Sequence, residues 1–226
     1  MKWSNDADEL GASKVGAIVM GETPFQTNEA VRQIVLNAKA GVTAIDDGLY
    51  KDAKDRGNYL EPALTEWASD KLDSLCPDYV ACNYQPPTDA HRLVSSRLCA
   101  SLDGILEVVG GELTIPNSQG EDITVSGFGA LEIKTDGWDD GPPRADQVLQ
   151  LQTQMLCADF GWGVIAKLGP KLKFELYPYR RSEKLIKIIL DKVEDFWDRV
   201  DNDKPYPPID NGKPDTIPLD HLETKD

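Results

Sequence analysis

The chain has 226 residues, 40% hydrophobic and 28% charged, with a formal net charge of −15. That is an ordinary globular composition with enough length for one sizeable core, and no apolar run reaches the span of a bilayer. The acidic balance weighs against a polyanionic partner, because nucleic-acid binders usually carry a basic footprint. The opening MKWSNDADEL lacks the basic and apolar regions of a secretory signal, so a cytoplasmic location is expected. The cysteines, Cys76, Cys82, Cys99 and Cys157, form no CxxC pair and are expected to be reduced thiols. With two histidines, His91 and His221, there is little material for a histidine metal site or a Ser-His-Asp triad. Chemistry here would run on carboxylates, lysine and a hard metal.

In chain order, LGASKVGAIVMGETPFQTNEAVRQIVLNAKAG reads as two short helices around a Gly/Thr/Pro turn. RGNYLEPALTEWASDKLDSL is helical. Its stripe is Leu60, Leu64, Trp67, Ala68, Leu72 and Leu75, with Pro62 near the first turn. PDYVACNYQPPTDAHRLVSSRLCASLDGILEVVG reads as strands with a turn, and GGELTIPNSQGEDITVSG as an outward-extending hairpin or loop. FGALEIKT is a short strand, DGWDDGPPR a flexible connection, and ADQVLQLQTQMLCADF a helix. WGVIAKLG and KLKFELYPY are two strands joined by a Gly-Pro turn, and SEKLIKIILDKVEDFWDRV is a strongly amphipathic helix. The expectation is one α/β domain over residues 1–200, followed by a Pro-rich acidic tail over 201–226.

Three carboxylates stand out by where they point. On the strand through Leu131-Glu132-Ile133-Lys134, Leu131 and Ile133 share one face, Glu132 and Lys134 the other. Asp103 ends a predicted strand, RLCASLDG, before the turn at Gly104. Glu61 lies about 100° from Leu60 and about 60° from Leu64, at the edge of the buried stripe. Each has a plain structural reading. Glu61 can serve its own helix N-terminus, Asp103 its turn, and Glu132 and Lys134 each other. Together, carboxylates from two strand ends and a helix are what a hard cation such as Mg²⁺ needs. A lysine beside them can act on attacking water or offset phosphate charge. In the following helix, Gln152 falls within the apolar face of Val148, Leu151, Met155 and Leu156, opposite Gln147, Gln150 and Gln154. Such an amide is either satisfied by backbone groups or reaches the site.

Asp103 followed by Glu132-Ile133-Lys134 matches the PD-(D/E)xK nuclease pattern. GASKVGAIVMGETPFQT resembles the GxS…G…P opening of the YqaJ-type viral recombinase family, that of phage lambda exonuclease. GNYLEP resembles its Gly-x-x-x-Glu helix start, ASLDG its Ser-x-Asp-Gly segment and QLQTQML its Gln-x-Gln helix. All occur in the family's order, over roughly residues 10–160. The resemblance implies a restriction-endonuclease-like α/β core, with a central mixed sheet flanked by helices. It implies metal-dependent hydrolysis of DNA, usually 5′→3′ from a duplex end, in recombination or end processing. By that resemblance Asp103 and Glu132 are Mg²⁺ ligands, with the Ile133 carbonyl completing the shell and Mn²⁺ a substitute. Glu61 completes or extends the metal site, and Lys134 acts on the water. Gln152 is the helix glutamine, with Gln150 as fallback, and Ser13 and Ser101 bind phosphate. The implied partners are double-stranded DNA ends, a single-strand annealing recombinase, and further copies of the chain in a ring trimer. The setting would be a bacterial or phage-infected cell.

The family often has an arginine before its Gly-x-Ser segment; WSNDADEL has none, which leaves Arg32 or Arg97 as substitutes. Two other readings are carried forward. One is an endonuclease or RecB-like nuclease of the same fold. The other is a non-catalytic nucleic-acid binder or mimic, motivated by the charge.

Overall fold

The structure, a computed structural model, describes residues 7–42, 51–75, 82–87 and 89–208. Cys76 and the part of the expected tail beyond residue 208 lie outside them. The chain opens with β1 (Leu10–Gly11), α1 (Ala12–Met20), α2 (Asn28–Lys39) and the long α3 (Lys51–Asp73). Seven strands follow: β2 (Cys82–Gln85), β3 (His91–Leu93), β4 (Leu98–Ala100), β5 (Gly104–Val108), β6 (Leu113–Ile115), β7 (Ile123–Val125) and β8 (Phe128–Thr135). Then come α4 (Ala145–Ala158), β9 (Trp162–Leu168), β10 (Phe174–Arg180) and α5 (Glu183–Asp201). No helix among the described residues is long and apolar enough to cross a membrane.

The central sheet has the order β10-β9-β8-β5-β2 and is mixed: β8 and β9 run parallel, the other pairs antiparallel. The parallel pair needs a crossover, and α4 supplies it. Side-chain alternation then divides the sheet between two helices. Leu131 and Ile133 of β8, with Val164 and Ala166 of β9, pack toward Leu64, Ala68 and Leu72 of α3. Ala130 and Ile165 face the other way, onto Val148, Leu151 and Met155 of α4. Glu132 and Lys134 share the parity of Ala130, so β8 sends them toward α4. Beyond α4 lies a second helical layer. Leu149 on its outer side joins residues of α1, α2 and α5 in a separate cluster. Gly16 makes this crossing possible: a Cβ there would lie 2.7 Å from Asp146 Cβ. A small second sheet, β1-β4-β3, places the start of α1 beside the end of β4.

Four expectations need correction. The helix through GNYLEP starts at Lys51, so Pro62 and Glu61 lie inside it rather than in its first turn. The residues before Gly57 are mostly good helix formers and extend the helix upstream. Trp67 is not buried: it is 44% exposed, with its ring stacked 4.5 Å from that of Phe174. The β6–β7 hairpin does not project outward. Leu113, Ile115, Ile123 and Val125 are buried in the α3-side core, worth about 1.5–3 kcal/mol each. DGWDDGPPR is not a loose connection. Asp136 accepts N–H bonds from Trp138 (2.9 Å) and Asp139 (3.2 Å), and the buried Lys167 reaches over to Gly141 O (2.9 Å).

Candidate active site

The site begins where two strands part. Pairing of β5 with β8 stops at Gly104 opposite Leu131. β8 runs on through Glu132 to Thr135, paired there with β9 alone. The Ile133 N–H on the open side would lack a strand partner. Asp103 takes its place: its Oδ2 accepts that N–H at 2.7 Å, and its own N–H donates to Leu131 O at 3.2 Å. Asp103 is therefore not the last residue of a strand, as expected, but the joint just before β5; the preceding strand ends at Ala100. Tyr84 on the edge strand holds this joint, its hydroxyl donating to Asp103 O at 3.3 Å. The ring reaches so far in because Gly104 has no side chain; a Cβ there would sit 2.4 Å from Tyr84 Cε2.

Glu132 is 3% exposed and lies against amides of α4. Its Oε1 accepts from Gln150 Nε2 at 2.6 Å and from Lys134 Nζ, and its Oε2 accepts from Gln154 Nε2. Lys134 also donates to Gln150 Oε1 at 3.0 Å, and Gln154 Nε2 to Ser101 O at 2.9 Å. Gln154 Oε1 is buried and has no hydrogen-bond partner among the described residues. Burial alone would push the Lys134 ammonium down, but Glu132 beside it holds its pKa above the usual lysine value. Asp103 is pushed well above the ordinary carboxylate range by burial and the charge of Glu132, which the Ile133 N–H offsets only in part.

Glu61 faces the same centre from α3. Its carboxyl is pushed up by burial and then by Glu132, with Lys134 opposing. It lines a pocket of about 230 Å³ with Gly57 and Asn58 of α3 and Ile133 and Thr135 of β8. Asp103, Glu132, Lys134 and Glu61 thus act on one another across the open end of the sheet.

Gln152 is elsewhere. It is fully buried, donates to Arg180 O at 2.9 Å and accepts from Ser182 N–H at 2.9 Å. It ties the end of β10 to the start of α5. The reason is the packing of α4 between the sheet and a second helical layer. Its outer apolar surface is interior, while the face with Gln150 and Gln154 is directed at Glu132 rather than at solvent. Gln150, the fallback, touches the site, and so does Gln154, which the sequence places only on the polar face opposite Gln152. The signal was their shared phase with Gln147 on a helix following Glu-x-Lys. Ser13 is exposed in the first turn of α1, whose N-cap Gly11 makes no side-chain cap bond. The parallel register of Gly11 with Cys99 sets that turn beside the segment leading to the exposed Ser101. Arg32 is 3% exposed and clamped by Glu29 and Asp203. Arg97 is held by Asp201 (2.8 Å) and lies over the Trp197 ring at 3.5 Å. Both are structural pins here.

Among the described residues, no three Asp, Glu, His or Cys side chains are arranged to hold a metal ion. Glu132 is turned onto its lysine and amides instead. In kind, the set fits a hard cation: three carboxylates face one ammonium, and burial, together with the excess negative charge, raises Asp103 and Glu61.

No protein-family model and no curated protein sequence matches the chain. Solved structures do. The alkaline exonuclease LHK-Exo from Laribacter hongkongensis superposes with a TM-score of 0.61 at 17% identity, over 89% of this chain and 92% of that one. LHK-Exo in complex with dAMP gives 0.62 at 18%, over 89% and 93%. A phage-related exonuclease from Haemophilus somnus 129PT gives 0.52 at 13%, over 86% and 96%. The chain has the restriction-endonuclease-like fold of these exonucleases, a central mixed sheet flanked by helices.

Proposed function

We propose that this chain is a Mg²⁺-dependent deoxyribonuclease that degrades duplex DNA from its ends in the 5′→3′ direction, with Mn²⁺ able to substitute. The observation that carries the reading is the meeting of Asp103, Glu132, Lys134 and Glu61 at the fork between β5 and β8. The exonuclease activity named for the structural neighbours supports it. Asp103, Glu132 and Glu61 would hold the cation, with the Ile133 carbonyl. When bound, a divalent cation supplies Lewis acidity at the phosphate and balances the carboxylates. Lys134, pinned between Glu132 and Gln150, offers its ammonium to the charge that develops on the attacked phosphate. Gln150 and Gln154 orient Glu132. Ser13 and Ser101, flanking the uncapped start of α1, would bind a phosphate. Duplex ends are the substrate, in a bacterial or phage-infected cytoplasm. A single-strand annealing recombinase and a ring of three copies are the partners, the ring retaining DNA that a −15 chain attracts weakly.

Incubation with linear and closed circular duplexes, in Mg²⁺ or EDTA, tests this. Loss of linear DNA alone, in Mg²⁺ alone, is expected. Nicked circles would replace the reading by an endonuclease, and binding without any cleavage by a non-catalytic binder. Lys134→Ala should abolish cleavage while circular dichroism stays native; near-normal turnover would return Glu132 and Lys134 to a plain ion pair.

A further inference from the structure

The loop after β8 is held at many points. Asp136 Oδ2 lies 3.2 Å from Arg144 Nη1 and 3.4 Å from Lys167 Nζ. Further along, the Gly141 N–H donates to Asp139 Oδ1 at 2.8 Å, and the Lys171 N–H to Asp140 Oδ1 at 3.2 Å. A loop fixed this firmly presents whatever stands on it. What stands on it is Trp138, 80% exposed. An exposed apolar side chain is ordinary by itself. The place of this one is not: it follows by three residues Thr135, which lines the pocket beside Glu61.

Arg56 stands on the other lip, one residue before the pocket residue Gly57. Its guanidinium lies over the loop, 3.7 Å from where a Gly137 Cβ would be. Arg56 is exposed and forms no ion pair or hydrogen bond among the described residues. The other arginines are each engaged by a carboxylate or a main-chain carbonyl. In a chain of charge −15, this unengaged guanidinium lies over Gly137, the residue before the exposed Trp138, beside the pocket that Glu61 lines.

We propose that Trp138 and Arg56 form a nucleotide platform at the mouth of the cleavage site. Its occupant is an unpaired nucleotide of the strand being cut. The indole stacks on the base, and the guanidinium contacts the adjoining phosphate. The inference rests on the nuclease reading and says how the strand is gripped. Stacking accepts any base, because every base presents a π face, so the platform is indifferent to sequence. It also supplies affinity without long-range attraction, which this acidic chain lacks. Arg suits the phosphate contact because its planar fork bonds two oxygens at once.

The test uses the full chain. Binding of a fluorescein-labelled oligo(dT) 12-mer in EDTA is followed by anisotropy, and KM and kcat on linear duplex are measured in Mg²⁺. Trp138→Ala should weaken oligonucleotide binding about 5- to 100-fold and raise KM in proportion, with Trp138→Phe restoring most of the loss. Arg56→Ala should weaken binding about tenfold, by a factor that shrinks as salt rises, whereas the Trp138→Ala factor stays constant. Both residues are exposed, so neither change threatens folding. Wild-type affinity and KM in both alanine variants of an enzyme that cleaves DNA would overturn the platform and leave the nuclease reading standing. Binding through Trp138 in a protein that cuts nothing would do the reverse. A wild-type chain that neither binds nor cuts would sink both.

Discussion

Two glutamines two residues apart on α4 do different work. Gln150 bonds Glu132 and Lys134, while Gln152 bridges Arg180 O and Ser182 N–H. Gln152→Ala removes the side-chain partner of both backbone groups and weakens the start of α5, where Ser182 is the N-cap. It should cost about 1–3 kcal/mol in urea unfolding with kcat nearly unchanged. Gln150→Ala removes a group that orients the site and should lower kcat about 10- to 100-fold at nearly native stability. A dead but fully stable Gln152→Ala would put that residue back at the site. Periodicity favoured Gln152 over Gln150 because it assumes that a helix has one buried and one wet side. α4 has none that is wet: Leu149 packs outward and Leu151 inward. Glu132 and Lys134 were easier to read, because their shared strand face follows from local alternation alone.

The position of Asp103 depends on where pairing ends between two strands distant in sequence, and no local pattern records that. The segment RLCASLDG alternates well enough to read as one strand. The break after Ala100 comes from β4 belonging to the small sheet while β5 belongs to the large one. The strongly periodic elements, α5 and β8, were legible, as was the strand–helix–strand order from β8 through α4 to β9. The hairpin's inward turn and the fixing of the β8–α4 loop depend on partners such as Lys167 that lie far along the chain. The fork itself is testable at Gly104. Gly104→Ala drives a Cβ into the Tyr84 ring and to 3.2 Å from Leu131 Cδ2, and a shift of β5 away from this clash would carry Asp103 off the Ile133 N–H. A loss of about 1–3 kcal/mol in thermal unfolding is expected, together with most of the cleavage activity. Adding Tyr84→Ala to that variant removes the obstructing ring and should recover part of both. Strict additivity of the two changes would show that the close approach does not position Asp103.

Across the whole molecule, the outer helical layer is fastened by ion pairs that acid can release. Arg32 is gripped by Glu29 at 2.9 Å and Asp203 at 3.0 Å, and the Tyr206 N–H donates to Glu29 Oε2 at 2.9 Å. These bonds clasp α2 to the segment after α5. The Arg32 guanidinium holds Glu29 down at about 2, from an ordinary value of 4.5. Asp201, bonded to Lys39 and Arg97, is lowered in the same way. A carboxylate depressed in the folded state binds its proton more readily once unfolded. Its contribution is complete above about pH 4.5 and is lost as pH falls toward 2. Because the Glu29 side chain is 32% exposed, solvent screening reduces its share to on the order of 1 kcal/mol. α1 packs on α2 and α5, and its first turn lies beside Ser101, so loosening this layer would also disturb the proposed phosphate contacts. Urea midpoints measured from pH 6 down to pH 2.5 should fall in the wild type. In Glu29→Gln they should start lower and fall less steeply over the same interval, because that variant has no Glu29 proton to take up. An identical acid slope in the two proteins would show that the Glu29–Arg32 clasp does not govern how this layer responds to pH.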